Sequence, residues 1–254
     1  MHALQTDTFI AAHPLLNAAS SSASPTATPP RQRRKQARPQ ELLDAALALF
    51  VERGFAATRS EEVAARAGVS KGTLYRYYPS KEELFKAVVR NSLAIHIADS
   101  ASQVALHTGS SADLLRRVMG DWLCQVGQGA LGGICKIMLA EAGNFPELAQ
   151  FYMDEVILPT HQVLGALLRR GIDQGEFRAV PVDETVNVLI GPMLHMILFK
   201  QAFGPHQLQG PSIDPPAVLA VHLDLLLRGL CHPQGMTSSS LTPPIPPLTK
   251  ECSR

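Results

Sequence analysis

The sequence predicts an all-α protein: a three-helix head that contains a helix-turn-helix, followed by a larger helical body. Apolar residues recur at helical spacing over most of the chain from position 39 to position 230. Residues typical of helix starts and stops punctuate that pattern, and no alternating run typical of a strand interrupts it. The 254 residues, 46% of them hydrophobic, suffice for two modest domains, and no apolar run approaches the ~18 residues that span a bilayer.

Composition divides the chain into four segments. Residues 1–35 and 233–254 are rich in Ser, Thr and Pro, and we expect both to be disordered. The head is predicted at 36–96 and the body at 97–232. A secretory signal fits poorly, because no Lys or Arg precedes the weak apolar stretch near the N-terminus.

The first helix of the head is predicted to begin at Pro39, because the missing N–H of a proline is harmless in a first helical turn. Gly54 is predicted to end this helix. Its core side is predicted to consist of Leu43, Ala46, Leu47 and Phe50.

The helix-turn-helix is predicted between Thr58 and Glu83. Thr58 and Glu61 have the spacing of a capping box, which indicates a helix start, and Gly68 is placed to end that helix. Ser70 then caps a second helix at once.

This second helix is short, because Pro79 pushes the preceding residue out of the helical region. Ser80 and Glu83 form a further capping box that opens the next helix. At about 100° per residue, Leu74 and Tyr78 lie on the side that faces the first helix of the motif. The opposite side presents Lys71, Gly72, Thr73, Tyr75, Arg76 and Tyr77.

The outward side has the chemistry that recognition of a DNA groove needs. Arg76 can pair bidentately with guanine, and Thr73 can donate to a base edge or contact a thymine methyl group. Gly72 leaves room for the backbone to approach a phosphate, and Lys81 stands where an ammonium and a helix N-terminus can share one. A helical hairpin that merely packs is the alternative.

The segment AARAGVSKGTLYRYYPSKEELF resembles the DNA-binding motif of the TetR family of transcriptional regulators, over its capping, turn, core and contact positions. The resemblance implies a motif from Arg59 to Tyr78, with Ser70 to Tyr77 as the recognition helix. It also implies contacts with double-stranded operator DNA through Arg59, Ser60, Ser70, Lys71, Gly72, Thr73, Tyr75, Arg76, Tyr77 and Lys81. The chain departs mildly from the family at Tyr78, where Phe is usual, and at Arg59 and Ser60, where paired Thr is frequent.

The charge distribution agrees with a DNA-binding head, although the net charge of the chain is only +1. Residues 31–90 contain 13 Lys and Arg against 7 Asp and Glu, whereas the remainder contains 10 against 15. Within that stretch, Arg31 to Arg38 hold five basic residues and no acidic one. This segment is either a solvated linker or an arm that follows phosphates or enters the minor groove.

The helix after Ser80 is predicted to continue past His96, and by resemblance it connects the head to the body. Its predicted buried stripe is Leu84, Phe85, Val88, Ser92 and Ile95. Further helices are predicted to begin at Asp113, Ile134, Pro146, Asp183 and Ala217, with a kink at Pro159 and loops at 171–181 and 205–216. The run from Ala140 to Tyr152 resembles the ligand-binding half of the AcrR-like and AefR-like branch of the family.

Two functions are predicted for the body. Aromatic and Met side chains suit an adaptable apolar cavity for an unknown small-molecule effector, although an ordinary core explains them as well. The candidate ligand-binding residues are Met119, Trp122, Met138, Phe145, Phe151, Tyr152, Met193, His195 and Met196. The last two helices are apolar on more than one side, which, with the family resemblance, predicts a homodimer through a four-helix bundle, the alternative being a fully buried intramolecular pair.

Other chemistry is not indicated by the sequence. Cys124, Cys135, Cys231 and Cys252 lack metal-binding spacing, so we expect reduced thiols in a cytoplasmic protein, with a thiol sensor at Cys124 and Cys135 as a minor alternative. The segment GQGALG at 127–132 follows no strand and is predicted to be a break between helices rather than a dinucleotide site. We expect no catalytic residues, metal, cofactor or membrane partner.

The leading hypothesis is a transcriptional regulator, a ligand-responsive repressor that binds a palindromic operator as a dimer. The second is a DNA-bound regulator or architectural protein that is controlled by a protein partner and has no small-molecule inducer, which a fully packed body core would favour. The third, an enzyme with a borrowed DNA-binding head, has no catalytic motif to support it.

Overall fold

The computed structural model describes residues 30–127, 129–204 and 213–231, with side chains from Pro39 onward. The predicted disorder of residues 1–29 and 233–254 lies outside these residues, as does Cys252. The chain forms two units, Met1–Gln36 and Ala37–Arg254. The first contributes only helical residues 30–36 to the description, and every contact below belongs to the second.

The described residues are almost entirely helical, as predicted. The helices are α1 (Pro30–Arg53), α2 (Ser60–Arg66), α3 (Lys71–Tyr77), α4 (Lys81–Val89), α5 (Ile95–Leu106), α6 (Ser111–Trp122), α7 (Leu131–Glu141), α8 (Pro146–Tyr152), α9 (Leu158–Asp173), α10 (Val182–Phe203) and α11 (Pro215–Leu230). Three π-helical turns join some of them: π1 (Arg90–Ala94), π2 (Leu123–Gly127) and π3 (Met153–Ile157). Phe177 and Cys231 form an isolated β-bridge.

Helix α1 begins earlier than predicted. It starts at Pro30 and carries Pro39 in its interior, so residues 30–35, which were predicted to be disordered, are helical. Lys, Arg, Gln and Ala are good helix formers, and Pro39 removes only one backbone hydrogen bond. The predicted end of the helix is confirmed, because Gly54 adopts a positive φ of 85°.

The start of α2 was predicted wrongly. Thr58 is not its N-cap: the buried Thr58 hydroxyl donates to the Leu49 carbonyl at 3.2 Å and the Gly54 carbonyl at 2.7 Å. The N-cap is Arg59, whose backbone N–H donates to the Glu62 carboxylate at 3.3 Å. The hydrogen bond from the N-cap N–H to a Glu carboxylate is therefore made one position later than predicted, between Arg59 and Glu62. The Thr58 hydroxyl cannot serve as the cap, because it already donates to carbonyls at the end of α1.

Segments α4, π1 and α5 follow one another without a break and form the predicted connector. The buried stripe was predicted correctly up to Val88, but Ile95 is 49% exposed and Leu93 is buried instead. A π turn inserts one extra residue, which rotates the following side chains by about 100°. Since π1 lies between Val88 and Ile95, a constant helical period fails there.

The first hydrophobic core joins the head to part of the body. It combines apolar residues of α1 to α4 with residues of α7, α8 and π3. At its centre the Phe55 ring meets Phe50, Phe85 and Phe145 at centroid distances of 5.6, 5.2 and 4.9 Å. The last contact joins the predicted head to the predicted body.

The second core lies among α6, α9, α10 and α11. Helix α9 runs through Gly171, which was predicted to be in a loop. Glycine is required there by packing rather than by a helix end, because an added Cβ would lie 2.1 Å from the Phe177 ring. Helix α6 is capped by Ser110 rather than Asp113. The Glu176 carboxylate also accepts hydrogen bonds there, from the Ser110 hydroxyl at 2.6 Å and the Ala112 N–H at 3.0 Å.

Helix α10 is long and apolar enough, by length and composition, to cross a membrane, with a mean hydropathy of 1.3. The sequence analysis did not single it out, because charged residues near both ends break the apolar run. Core helices meet the same criteria, and α10 contributes Val186, Leu189 and Met193 to the second core. Val188 and Phe203 on this helix are exposed.

Candidate nucleic-acid interface and body cavity

Helices α2 and α3 pack together as a helix-turn-helix. Leu74 is fully buried and contributes to the same core as Val63 and Ala64. Ser70 caps α3 as predicted, with its hydroxyl oxygen accepting from the Thr73 N–H at 3.1 Å. The helix ends at Tyr77, and Tyr78 adopts an extended φ of −133° before Pro79.

The side chains predicted to contact DNA on α3 lie together on its outer side. Lys71, Gly72 and Arg76 are exposed, Tyr75 is 37% exposed, and Thr73 is half-buried beside Ser70. The Thr73 and Ser70 hydroxyls lie 2.9 Å apart. Tyr77 is half-buried against the first core, and the Arg76 guanidinium lies 5.5 Å from the Tyr77 ring centroid.

Lys71 has a partner that the sequence analysis did not predict. Its ammonium forms an exposed ion pair with Glu61 of α2, and it lies 5.7 Å from the Tyr75 ring centroid. The hydrogen bond between the two groups raises the pKa of Lys71 and lowers the pKa of Glu61. A phosphate that binds Lys71 therefore competes with a carboxylate on the same face.

Three other predicted contacts differ in accessibility. Arg59 is exposed, whereas Ser60 is only 6% exposed and has little surface to offer a phosphate. The Lys81 ammonium donates to the carbonyls of Phe55 at 2.9 Å and Ala56 at 3.2 Å, and it lies 4.5 Å from the Phe55 ring centroid. Lys81 thus ties the turn after α1 to the start of α4, a role that its position after Pro79 did not indicate.

Gly72 has free space around it. An added Cβ would meet only the Ser70 hydroxyl oxygen, at 3.9 Å, which is an ordinary contact distance. The protein's own packing therefore does not require glycine at this position.

The body contains an apolar cavity of about 40 Å³ bounded by α5, α6, α9 and α10. Its lining residues are His96, Ile97, Ser100, Val118, Met119, Trp122, Thr160, Val163, Leu164, Ile190 and Met193. On the other side of Ile97 and Val163, which line both spaces, an open groove of about 640 Å³ runs between α5 and α9.

The structure divides the predicted ligand-binding residues into three groups. Met119, Trp122 and Met193 line the cavity. The other buried or half-buried members pack in the cores: Met138, Phe145, Phe151 and Tyr152 in the first, and Met196 in the second. His195 lies on the exposed side of α10, with its ring centroid 6.1 Å from that of Phe199, so it is neither a core histidine nor part of the cavity.

The sequence analysis missed the connector's contribution to the cavity. His96, Ile97 and Ser100 all lie on α5 and line it. The i, i+4 spacing of His96 and Ser100 was a usable signal, but the unrecognised π turn at 90–94 concealed which side of α5 faces inward. From α9, Thr160 and Val163 were missed because the prediction favoured aromatic and Met residues.

Cys135 is buried, and the Tyr152 hydroxyl donates to its sulfur at 3.5 Å. Burial raises the pKa of the Cys135 thiol, and it raises the pKa of Tyr152 well above its usual value. A buried thiol that stays protonated is a poor nucleophile. This environment disfavours Cys135 as part of a thiol sensor.

Comparison with known sequences places both halves of the chain in one family. Residues 42–88 match the bacterial regulatory proteins of the tetR family, and residues 106–208 match the tetracyclin repressor-like C-terminal domain. An uncharacterised HTH-type transcriptional regulator of Mycobacterium bovis is 30% identical over 161 residues, which cover 62% of this chain and 74% of that protein. The HTH-type transcriptional regulator RutR of Escherichia coli is 47% identical over 68 residues, covering 27% of this chain and 32% of RutR.

Solved structures share the fold at low sequence identity. The transcriptional regulator FadR of Bacillus subtilis, in complex with stearoyl-CoA, is similar with a TM-score of 0.60 and 19% identity, covering 75% of this chain and 98% of FadR. The ketosteroid transcriptional regulator of Mycobacterium tuberculosis gives a TM-score of 0.57 at 22% identity, covering 77% and 95% of the two chains. Both family matches, the relative in Mycobacterium and the exposed recognition helix agree, and the chain belongs to the TetR family of DNA-binding transcriptional regulators.

Proposed function

We propose that the protein is a ligand-responsive repressor that binds a palindromic operator as a dimer and releases it when a small molecule occupies the body cavity. The continuity of α4, π1 and α5 is the observation that carries this proposal. One end of this helical path packs in the core of the head, through Leu84 and Phe85, and the other end lines the cavity, through His96 and Ser100. A ligand that alters α5 therefore acts on the element that holds the recognition helix.

On the DNA, α3 enters the major groove with its exposed side toward the bases. Arg76 pairs with a guanine edge, Thr73 contacts a neighbouring base, and Lys71 exchanges Glu61 for a phosphate. Support comes from the exposure of these groups, apart from half-buried Thr73, and from the free space at Gly72. Lys81 acts in this arrangement mainly by holding the turn after α1, and Ser60 by its backbone at the start of α2.

Dimerisation through α10 and α11 accounts for apolar side chains that the chain itself does not cover. Val221 and Leu225 on α11 are 61% and 67% exposed, and Val188 on α10 is 57% exposed. His195, Phe199 and Phe203 form a further row on α10. Large apolar surfaces of this kind mark protein interfaces, and a two-fold axis pairs the same helices from both subunits.

The response to an effector is a population shift. A ligand weakens operator binding only if it binds the DNA-released conformation better than the DNA-bound one. FadR of Bacillus subtilis, which shares the fold, has been solved with stearoyl-CoA. Because its identity to this chain is only 19%, we carry over only that a protein of this fold binds a ligand, and not the chemistry of that ligand.

An operator titration tests the proposal. Fluorescence anisotropy of DNA from the region upstream of the gene should show two protomers bound per inverted repeat, and an isolated half-site should bind far more weakly. Small molecules that occupy the cavity should lower operator affinity. Their binding can be followed by the fluorescence of Trp122, which lines the cavity. Binding of one protomer per site, with equal affinity for half-sites and inverted repeats, would contradict the dimeric operator.

The second candidate, control by a protein partner without an inducer, is favoured by one observation. The cavity of about 40 Å³ is much smaller than the ~300–1,000 Å³ typical of small-molecule sites. The two candidates differ in whether the cavity can open. Backbone hydrogen exchange in α5, α6 and α9 measures this opening. If exchange is slow and uniform in the free protein and does not change when small molecules that fit the groove are added, the partner-controlled regulator is favoured.

A further inference from the structure

Among the residues that line the cavity, one has a buried polar atom whose hydrogen-bonding capacity is not satisfied. The Ser100 hydroxyl donates to the His96 carbonyl at 2.9 Å, and the Thr160 hydroxyl donates to the Val156 carbonyl at 2.7 Å. Nδ1 of His96, by contrast, is buried and finds no hydrogen-bond partner among the described residues. Since buried polar atoms are nearly always paired, this nitrogen calls for a partner that the described residues do not supply.

The remaining lining selects against charge. It contains aliphatic side chains with Met119, Met193 and Trp122, and none of the eleven lining residues is Lys, Arg, Asp or Glu. Burying an ion there without a counter-ion is strongly unfavourable. The chemistry that fits is an uncharged, largely apolar molecule with one hydrogen-bonding group.

The groove between α5 and α9 provides the route and the additional volume. The small side chains of Ala98 and Ala101 on α5 and of Ala94 at the end of π1 line it, and Ile97 and Val163 line both the groove and the cavity. Rotation of those two side chains would join the two spaces. Met119 and Met193 can then adapt to the shape of a ligand, because a thioether side chain repacks easily.

The rim of the groove carries negative charge. Asp154 and Glu155 line it, and no Lys or Arg does. The Arg90 guanidinium pairs with Glu155 through two nitrogens, Nε at 3.0 Å and Nη2 at 2.5 Å, which leaves the carboxylate of Asp154 paired only with the neutral amide of Gln150 at 3.0 Å. An anionic molecule meets repulsion at the entrance as well as a desolvation cost inside.

We propose that the effector is a small uncharged molecule, largely apolar, that enters between α5 and α9 and is anchored by one hydrogen bond to Nδ1 of His96. This inference rests on the proposed function, because it takes the cavity as the effector site. It gives this chain a ligand class that excludes carboxylates and other anions.

Three probes of similar size test the ligand class on the full-length protein: benzyl alcohol, toluene and benzoate. Trp122 is the only tryptophan of the chain and lines the cavity, so its fluorescence reports occupancy. We expect benzyl alcohol and toluene to change the emission saturably, and benzoate to bind at least about tenfold more weakly than benzyl alcohol. Benzoate binding as tightly as benzyl alcohol, or no saturable change with any probe, would overturn the inference.

Variants at position 96 test the anchor. His96→Leu removes the polar atom and should weaken benzyl alcohol by about fivefold while leaving toluene unchanged, as expected for one neutral hydrogen bond. His96→Asn places a polar atom near the position of Nδ1 and should restore most of that affinity. His161→Leu, on α9 and outside the cavity lining, is the matched control and should change neither affinity.

Equal weakening of both neutral probes by His96→Leu would refute the anchor. If His96→Leu does not fold, His96→Asn is compared with the wild type instead, by the ratio of benzyl alcohol affinity to toluene affinity. A ratio close to that of the wild type is expected if a polar atom at this position anchors the alcohol. Anisotropy with operator DNA separates this inference from the proposed function. If the protein binds operator but none of the probes, the ligand class is refuted and the DNA-binding proposal stands. If it binds benzyl alcohol as expected but no operator, the proposed regulatory function is refuted and the ligand class stands.

Discussion

At Gly72, the effect of a substitution on folding can be distinguished from its effect on DNA binding. Its place in a helix is intrinsically unfavourable for glycine, and nothing in the protein occupies the space where a Cβ would lie. The packing of the described residues does not explain the glycine, and we propose that contact with DNA does. Close approach of a phosphate to the N-terminal turn of α3 supplies such a contact.

Gly72→Ala should keep or raise the free energy of unfolding, by up to about 1 kcal/mol, because alanine is the better helix former. Operator affinity should fall about tenfold, since the added methyl group pushes the backbone away from the phosphate. Chemical denaturation and anisotropy measure the two quantities. Gly120→Ala, at another helical glycine with open space around it, should leave operator affinity unchanged; equal effects of the two variants on DNA would refute this role.

Glu176 determines how the stability of the body depends on pH. Burial alone would raise the pKa of Glu176, but hydrogen bonds from Ser110, Ala112 and Ser111 outweigh it and lower the pKa below the usual value of 4.5. A carboxyl group with a lowered pKa stabilises the fold above its unfolded-state pKa, and the contribution disappears as pH falls through the folded-state value.

Glu176→Gln should therefore lower the free energy of unfolding by about 1 kcal/mol at neutral pH, a modest value because the group is partly exposed. The difference between variant and wild type should shrink as pH falls from about 5 toward 3. Urea denaturation at a series of pH values measures it. Asp113→Asn, which removes an exposed carboxylate from the first turn of α6, the helix whose N-terminus Glu176 caps, is the control. A difference for Glu176→Gln that grows on acidification would contradict the assignment.

Residue-level prediction worked where a local rule acts alone. Ser70, Gly54 and Gly68 were placed correctly because capping and positive φ depend on neighbours in sequence. Thr58 was not placed correctly as an N-cap, and the contacts of Lys81 within the protein were not foreseen, because both side chains bind backbone carbonyls more than one helical turn away, at Leu49, Phe55 or Ala56. Such partners become visible only once α1 and α4 have been packed together.

At the scale of elements, most helices were predicted; several boundaries were misplaced, and the buried side of the connector was lost where the helical period changes. The three π turns have no signature in the sequence pattern, and each shifts the register of the residues that follow. Through π1, the shift moved Ile95 from the predicted core stripe to the surface and brought His96 into the cavity wall. An apolar cavity lined by Met119 and Trp122 was thus predicted, but most of its other lining residues were not.

Helix α11 allows a direct test of the dimer. Leu225→Glu combined with Val221→Glu places two charges on its exposed apolar side, and we expect dissociation into monomers, because burying an unpaired carboxylate in an interface is unfavourable. Analytical ultracentrifugation measures the mass. Leu139→Glu, at an exposed leucine of α7, should leave the dimer intact. A double variant that still sediments as a dimer would place the interface elsewhere.

At the scale of the whole molecule, charge and architecture agree. The basic excess of residues 31–90 falls in the part of the sequence that contains the helix-turn-helix, and the acidic excess falls in the remainder of the sequence. Positive charge near a DNA-binding motif raises the rate and strength of association with DNA. Because phosphate contacts release counter-ions, operator affinity should fall steeply as salt concentration rises.

The most direct test of the account is the specificity of Arg76→Ala, measured by anisotropy with operator and with unrelated DNA over a range of salt concentrations. We expect the wild type to prefer operator, and Arg76→Ala to lose about 1–3 kcal/mol of that preference while its binding to unrelated DNA changes little. Arg66→Ala, which removes an exposed arginine of α2 that pairs with Glu52, should keep the preference. A preference unchanged in Arg76→Ala, or wild-type binding that does not respond to salt, would contradict the proposal that the exposed side of α3 reads the operator.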